Sequence, residues 1–274
     1  MVRTELQPIA LSKLVTDLRK LGVKSGDIIM LHASVKAIGW VVGGPDVVIE
    51  ALLDVLGQGG TLMMYVAWEE DAPYSLAQLP RKWQEVYLKE CPPFDPARSR
   101  ANRGWSILTE YLRTWPEACR SGNPEASCVA VGAKAKWLTQ NHPLQYGYGS
   151  GSPLAKLCEL KGKVLLLGAP FGSITLLHYA ESIADVPNKQ VIRYQMPVLR
   201  NGKREWVEIE EFDTCGNVLP NAERYFDAIP REYLASGKGT NGKVGNADSY
   251  LFDAADFVKF AVQWLEKEYG QRAK

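Results

Sequence analysis

The chain is short of the residues that most directly announce a chemistry. Its 274 residues hold three histidines and five cysteines. The cysteines, Cys91, Cys119, Cys128, Cys158 and Cys215, are odd in number and show no C-x-x-C spacing, which argues against a disulfide framework and against a cysteine-built zinc site. No apolar run approaches the roughly 20 residues of a membrane span. The opening "MVRTELQPIALSKLVTDLRKLG" is amphipathic and broken by charge, unlike a signal peptide, so a reducing cytoplasm is the expected location. An excess of one charge is missing as well. With 32 Lys plus Arg against 31 Asp plus Glu, no net field draws the chain to nucleic acid or to an anionic membrane. There is no G-x-S-x-G elbow, so a serine hydrolase of the common α/β type lacks its nucleophile. Internal repeats, low-complexity segments and linker-like stretches are also lacking.

What is present is the usage of an ordinary globular protein, 46% hydrophobic and 23% charged, enough to bury a sizeable core. Ile9, Leu11, Leu14, Leu18 and Leu21 recur at helical spacing, and Gly22 ends that run. "GDIIMLHAS" reads as a strand, "GGPDVVIEALLDVLGQGG" as a helix entered through Pro45, and "TLMMYVAW" as a second strand. Alternation of this kind marks an α/β layered domain. From 69 to 103 the periodicity fades and prolines accumulate, with a helix expected around Pro80 to Glu90. "GWSILTEYLRTW" resumes as helix, "ASCVAVG" as strand, and "SPLAKLCEL" as a helix capped by Ser152 with Pro153 at its first position. "GKVLLLGAP" is apolar without a break from Val164 to Leu167, which suits a strand covered on both faces at the sheet centre. A helix is expected over 173–184. The segment after it reads as a hairpin turning at Asn201-Gly202, and "NADSYLFDAADFVKFAVQWLEKEYG" as a closing amphipathic helix.

The clearest candidate for chemistry is "GAPFGSITLLHYAES", which sets His178 three residues before Glu181. Residues three apart share a helix face, so the carboxylate can reach the ring. A carboxylate on one ring nitrogen fixes the tautomer and leaves the other nitrogen as a base. The spacing does not by itself separate this pair from a packed, half-buried histidine. His32 ends the first strand, where open α/β sheets place ligands, and "LHASVKAIGWVVGGPD" offers glycines, amides and Lys36, though it matches neither G-x-G-x-x-G nor Walker A. "GSGSP" is a second possible anion cradle. His142, in a polar loop, reads as a surface residue. Cys128 and Cys158 fall in apolar segments, where inert cysteine is the default. Acidic clusters stand at 68–71 ("WEED") and 208–213 ("EIEEFD"); either would suit a cationic substrate if it lined a cleft.

Taken together, "GDIIMLHASVKAIGWVVGG", "GQGGTLMMYVAW", "PPFDP", "RSGNPEASCVAVG", "GSGSPLAKL", "KVLLLGAPFGSITLLHYAE" and "YLFDAADFV" resemble the aminoglycoside 3-N-acetyltransferase family over about residues 12–270. The resemblance implies a three-layer α/β/α sandwich with a mixed central sheet, formed as one domain over 1–274 with a substrate-side insertion at about 69–103. It implies acetyl-CoA as co-substrate, no metal, a polycationic aminoglycoside as partner, and a monomer or homodimer. The family's T-x-x-H-x-x-E pattern falls on Thr175, His178 and Glu181: His178 as base, Glu181 as its orienting partner, Thr175 near the thioester. Ser34, Val35, Lys36, Ser127, Ser150, Gly151, Ser152 and Pro153 match regions that hold CoA. Tyr65, Trp68, Glu69 and Asp213 match acceptor-side positions. Two departures stand out. Asn123 occupies a place where many members have histidine, and 69–103 departs from the family's pattern. Members also acylate other amines, so a different amine, or a CoA-binding module without catalysis, are the alternatives.

Overall fold

The computed structural model describes residues 7–70 and 76–270, so Asp71 of the first acidic cluster lies outside the described residues. The elements run in the order α1 (Leu11–Leu21), β1 (Ile28–Ala33), α2 (Val35–Ile38), α3 (Asp46–Leu56), β2 (Thr61–Tyr65), α4 (Arg81–Glu90), α5 (Ile107–Arg113), β3 (Cys119–Arg120), β4 (Cys128–Gly132) and α6 (Ala135–Thr139). There follow α7 (Pro153–Glu159), β5 (Lys163–Leu167), α8 (Leu176–Ile183), β6 (Val191–Arg200), β7 (Lys203–Phe212), α9 (Ala222–Ala235), β8 (Thr240–Val244), β9 (Ala247–Asp253) and α10 (Ala254–Tyr269). Seven strands form one mixed sheet in the order β3-β4-β2-β1-β5-β9-β8. β1 is parallel to both β2 and β5, and the outer pairs are antiparallel.

The layers follow from the alternation of side chains along each strand. Ile29 and Leu31 of β1 and Leu165 and Leu167 of β5 face one apolar cluster, completed by α1, α3 and α5. Met30, Val164 and Leu166 face the other, completed by α6, α7, α8, α9 and α10. Every residue of β1 is buried, as a parallel strand covered on both faces must be. The architecture is therefore the expected α/β/α sandwich with a mixed central sheet. Among the described residues, no helix is long and apolar enough to cross a membrane.

Four details differ from what the sequence predicts. The middle strand is β1, with β5 beside it, because β2, β4 and β3 lie on one side of β1 and β5, β9 and β8 on the other. The segment opening "NADSYLFD" is β9, and the closing helix starts only at Ala254. Its N-cap is Asp253, whose carboxylate accepts the Asp256 N–H at 3.0 Å. The expected helix over 173–184 begins at Leu176, after a single 3-10 turn, Phe171–Ser173. Finally, α9 and β8 occupy a stretch for which the sequence predicts no element; Pro230 lies inside α9 and interrupts its helical signature.

The hairpin β6–β7 forms its own two-stranded sheet and closes, as expected, at Asn201 (φ 50) and Gly202 (φ 73), the left-handed pair that a two-residue turn requires. Its inner face, Tyr194, Met196, Val198, Val207 and Ile209, packs with Trp68, Cys91 and Phe94 as a third cluster. Phe94 donates its N–H to the Pro197 carbonyl at 2.7 Å and accepts from Leu199 at 2.9 Å. The 88–94 part of this stretch thus folds against the hairpin.

Candidate active site

α8 presents His178 and Glu181 on one face. His178 Nδ1 lies 2.6 Å from Glu181 Oε2, and the carboxylate is buried to 1% exposure. An ionised carboxylate only accepts, so Nδ1 carries the proton and Nε2 is left with a lone pair. The second oxygen, Oε1, accepts from the Tyr225 hydroxyl of α9. The His178 ring sits between Tyr148 and Phe226, with centroids 5.2 and 5.1 Å away.

This pair lines a cavity of about 750 Å³. The cavity opens at the carboxyl ends of β1, β2 and β5, where β1 has parallel neighbours on both sides and open α/β sheets hold their ligands. Gly168 (φ 64) turns the chain from β5 into the 169–175 wall; a Cβ there would lie 2.4 Å from the Ala37 Cβ. Tyr65 and Tyr148 form another wall, with their hydroxyls 2.9 Å apart and Tyr65 donating to the Glu125 carbonyl at 3.2 Å. Burial raises both phenols well above their ordinary value, so they remain donors. Charge around the cavity is divided: Lys36 and Arg103 contribute cations, whereas Glu125, Glu181, Glu223 and Asp227 contribute carboxylates.

The residues singled out from sequence separate into two sets. Ser34, Val35, Lys36, Tyr65, Thr175, His178 and Glu181 line the cavity together. Thr175 holds the N-cap position of α8, but its hydroxyl makes no cap hydrogen bond there. The others lie elsewhere. Ser152 caps α7 by accepting the Ala155 N–H at 3.1 Å, and both Ser152 and Pro153 are buried in that turn, next to the exposed Ser150 and Gly151. Ser127 is fully buried, its hydroxyl meeting Arg120 at 3.2 Å. Trp68 packs on Phe94 in the third cluster. Glu69 binds Arg103, taking its Nε at 3.0 Å and its backbone N–H at 2.8 Å, so it acts on the cavity through that arginine. Asp213 accepts the Gly216 N–H at 2.6 Å, one residue before the cavity-lining Thr214.

His32 does line the cavity and is buried, which pulls its imidazole down to about 4 and keeps the ring neutral. His142 is not a surface residue. Burial lowers it to about 4 as well, with Nδ1 2.9 Å from the Ser121 hydroxyl and Nε2 2.7 Å from the Gly147 carbonyl. Asn123 is buried too: its amide donates to the Pro143 carbonyl at 2.8 Å, and its Oδ1 accepts the Glu125 and Ala126 N–H groups at 2.9 and 2.8 Å. It thereby ties the loop between β3 and β4 that carries Glu125 to the loop leading to Tyr148. Burial pushes the Cys128 and Cys158 thiols up to about 12, and neither lines the cavity, which removes them as nucleophiles.

Sequence reasoning missed Arg103, Trp105, Glu125, Tyr148, Tyr225 and Phe226. The signal that α9 offers is the stripe Tyr225, Phe226, Ile229 and Tyr233, all buried. For Arg103, Glu125 and Tyr148, which sit in loops, no periodic signal exists.

A family model described as aminoglycoside 3-N-acetyltransferase matches residues 30–266. The aminoglycoside N(3)-acetyltransferase III of Pseudomonas aeruginosa is 53% identical over 260 residues, covering 95% of this chain and 94% of that relative. The aminoglycoside N(3)-acetyltransferase VIII of Streptomyces fradiae is 44% identical, covering 97% and 95%. Among solved structures, AAC-IIIb in binary complex with CoASH superposes with a TM-score of 0.90 at 48% identity, over 98% of this chain and 100% of that one. AAC-VIa bound to sisomicin does so with a TM-score of 0.90 at 37% identity, over 97% and 100%.

Proposed function

The chain belongs to the aminoglycoside 3-N-acetyltransferase family, and from that premise we propose that it acetylates the 3-amine of 2-deoxystreptamine aminoglycosides by direct transfer from acetyl-CoA, with His178 as general base. The observation that carries the base is His178 Nδ1 held 2.6 Å from the buried Glu181 at the wall of the cavity. The relatives solved with CoASH and with sisomicin support the two ligands.

The chemistry follows from the acceptor. An amine near neutrality is largely protonated and cannot attack until it loses a proton. The ammonium gives its first proton to solvent, and His178 Nε2 takes the second from the attacking nitrogen as the new C–N bond forms. The C–S bond of the thioester breaks, and the proton returns to the sulfur, so CoASH leaves. Glu181 stabilises the imidazolium that exists between these events. Thr175 offers a hydroxyl donor to the developing oxyanion or to the acceptor, while Tyr65 and Tyr148, whose hydroxyl protons are engaged with Glu125 and with each other, hold the facing wall. Lys36 and Arg103 suit the phosphates of CoA, whereas Glu125, Glu223 and Asp227 suit a polycation. Modification of the antibiotic would give the host resistance.

A base so placed is worth about 10²–10⁴-fold. Replacing His178 with Ala is expected to lower kcat by that range while acetyl-CoA still binds, as checked by steady-state kinetics and by titration of acetyl-CoA. Thiol release with gentamicin-, kanamycin-, neomycin- and apramycin-type acceptors and simple monoamines defines the acceptor class. Release with none of the aminoglycosides would remove the proposal. An acetylated enzyme formed from acetyl-CoA alone, at a rate competent for turnover, would remove direct transfer.

A further inference from the structure

Tyr225 is a buried polar group in contact with the dyad, and the chemistry above leaves it without a role. It comes from α9 rather than α8 and is fully buried. Its ring is held by Phe226, Tyr269 and Trp264, with centroids 5.5, 5.9 and 6.5 Å away. Its hydroxyl donates to Glu181 Oε1, while Glu181 Oε2 takes the His178 proton. The two oxygens of one buried carboxylate thus have one partner each, drawn from two different helices.

We infer that Tyr225 is a positioning residue: its hydroxyl fixes the rotation of the Glu181 carboxylate and draws charge from it, and so sets how firmly Glu181 holds and polarises His178. The inference rests on the reading of His178 as base. The terminal torsion of a glutamate is broad and roughly two-fold, so a carboxylate anchored only by the histidine can rotate away from it; a second anchor from a separate helix prevents this. A donor on one oxygen also weakens the other as an acceptor, because the two oxygens share one delocalised negative charge. Burial, then the neighbouring Glu181 charge, raises the Tyr225 phenol far beyond its ordinary value, so the hydroxyl keeps its proton.

Other charged and titratable groups also face the dyad. Glu125 lies in the loop before β4, Tyr65 on β2, Tyr148 before α7, and Glu223 and Asp227 on α9; across the cavity are His32, Lys36, Arg103 and Cys215. Lys189, ahead of β6, senses the Glu181 charge. Replacing Tyr225 with Phe removes one oxygen and leaves all of these in place.

The test measures kcat, KM and the pH profile of kcat/KM for the wild type, Tyr225→Phe, Glu181→Gln and the double variant, with acetyl-CoA and a 2-deoxystreptamine acceptor. Tyr225→Phe is expected to lower kcat about 10-fold, the scale of one lost hydrogen bond to a charged group, with the KM for acetyl-CoA unchanged. Rotation of the carboxylate accounts for the loss in kcat; in the molecules where Glu181 stays on Nδ1 it carries its full charge and favours imidazolium more strongly, so their acid limb moves to higher pH. In the Glu181→Gln background the same change should cost less than about twofold, because coupled residues are not additive. A wild-type kcat with an unmoved acid limb, or an equal loss in both backgrounds, overturns the inference, the second by showing that the residue acts through packing. Should Tyr225→Phe fail to fold, 3-fluorotyrosine at 225 provides a stronger donor of nearly the same shape and must move the acid limb to lower pH; no movement overturns the inference. A wild-type enzyme inactive toward every acceptor would instead count against the acetyltransferase reading.

Discussion

Glu69 and Glu223 have the same carboxylate and opposite expected effects, because of what each one touches. The resemblance to the family assigns Glu69 to the acceptor, but both of its oxygens are engaged by Arg103, through its Nε and its backbone N–H. Its replacement by Gln therefore loosens a cavity cation. Glu223 lines the cavity beside Asp227, which is itself tied to Arg231 at 2.6 Å. We expect Glu69→Gln to raise the KM for acetyl-CoA a few-fold and leave that of the acceptor alone. Glu223→Gln should raise the KM for a polycationic aminoglycoside about fivefold, the scale of one partly exposed ion pair, with little effect on a monoamine. Steady-state kinetics with each substrate varied in turn checks both. If Glu69→Gln impaired only the acceptor, the assignment of Arg103 to the CoA phosphates would be wrong.

At the scale of elements, the cavity is a junction of loops on a rigid sheet. Gly168 is the hinge of that junction: it leaves β5 with a positive φ and comes within contact of α2. Gly168→Ala combines a strained backbone with a clash against Ala37, and should cost about 1–3 kcal/mol of stability and displace the 169–175 wall that carries Thr175. A lowered urea midpoint together with a reduced kcat is the expected result; unchanged values would show that the wall adjusts freely. The same junction explains how far the sequence can be read. β1, β2, β5 and α8 are visible because apolar runs, caps and helical spacing are local properties, and His178 with Glu181 is visible because one helix carries both. Tyr225 reaches Glu181 from 44 residues away, on a helix whose pattern Pro230 obscures. Arg103 and Glu125 are brought in by loops, where hydrogen bonds such as those of Asn123 set the path and no period exists to reveal it. β9 merges with α10 in the sequence pattern because "SYLFD" is short, and its apolar residues fit either period until pairing with β5 decides.

For the whole molecule, three buried titratable groups set opposing slopes of stability against pH. Burial pushes the Glu211 carboxyl from 4.5 up to about 7, against backbone hydrogen bonds from Phe212, Gly147 and Tyr148. Its folded form keeps a proton that the unfolded chain gives up, so this contribution is complete below pH 4.5 and is lost as pH rises toward 7. His32 and His142 act in the other direction. Burial lowers each from 6.5 to about 4, so the unfolded chain binds more protons in that window and stability rises with pH across it. Unfolded histidine is still half protonated at pH 6.5, so the two rising contributions outweigh the falling one until about pH 7, where they balance. Stability should therefore rise with pH and level off near pH 7. Glu211→Gln removes the falling contribution. Relative to the wild type, the variant should gain about 2–3 kcal/mol between pH 5 and pH 8, because raising a carboxyl's pKa tenfold in proton affinity corresponds to roughly 1.4 kcal/mol. Urea denaturation of both proteins at the two pH values measures this. A stability difference that does not change with pH would mean that Glu211 is ionised in the folded protein, and that the backbone amides of the Gly147–Tyr148 loop, which also carries a wall of the cavity, hold a full negative charge.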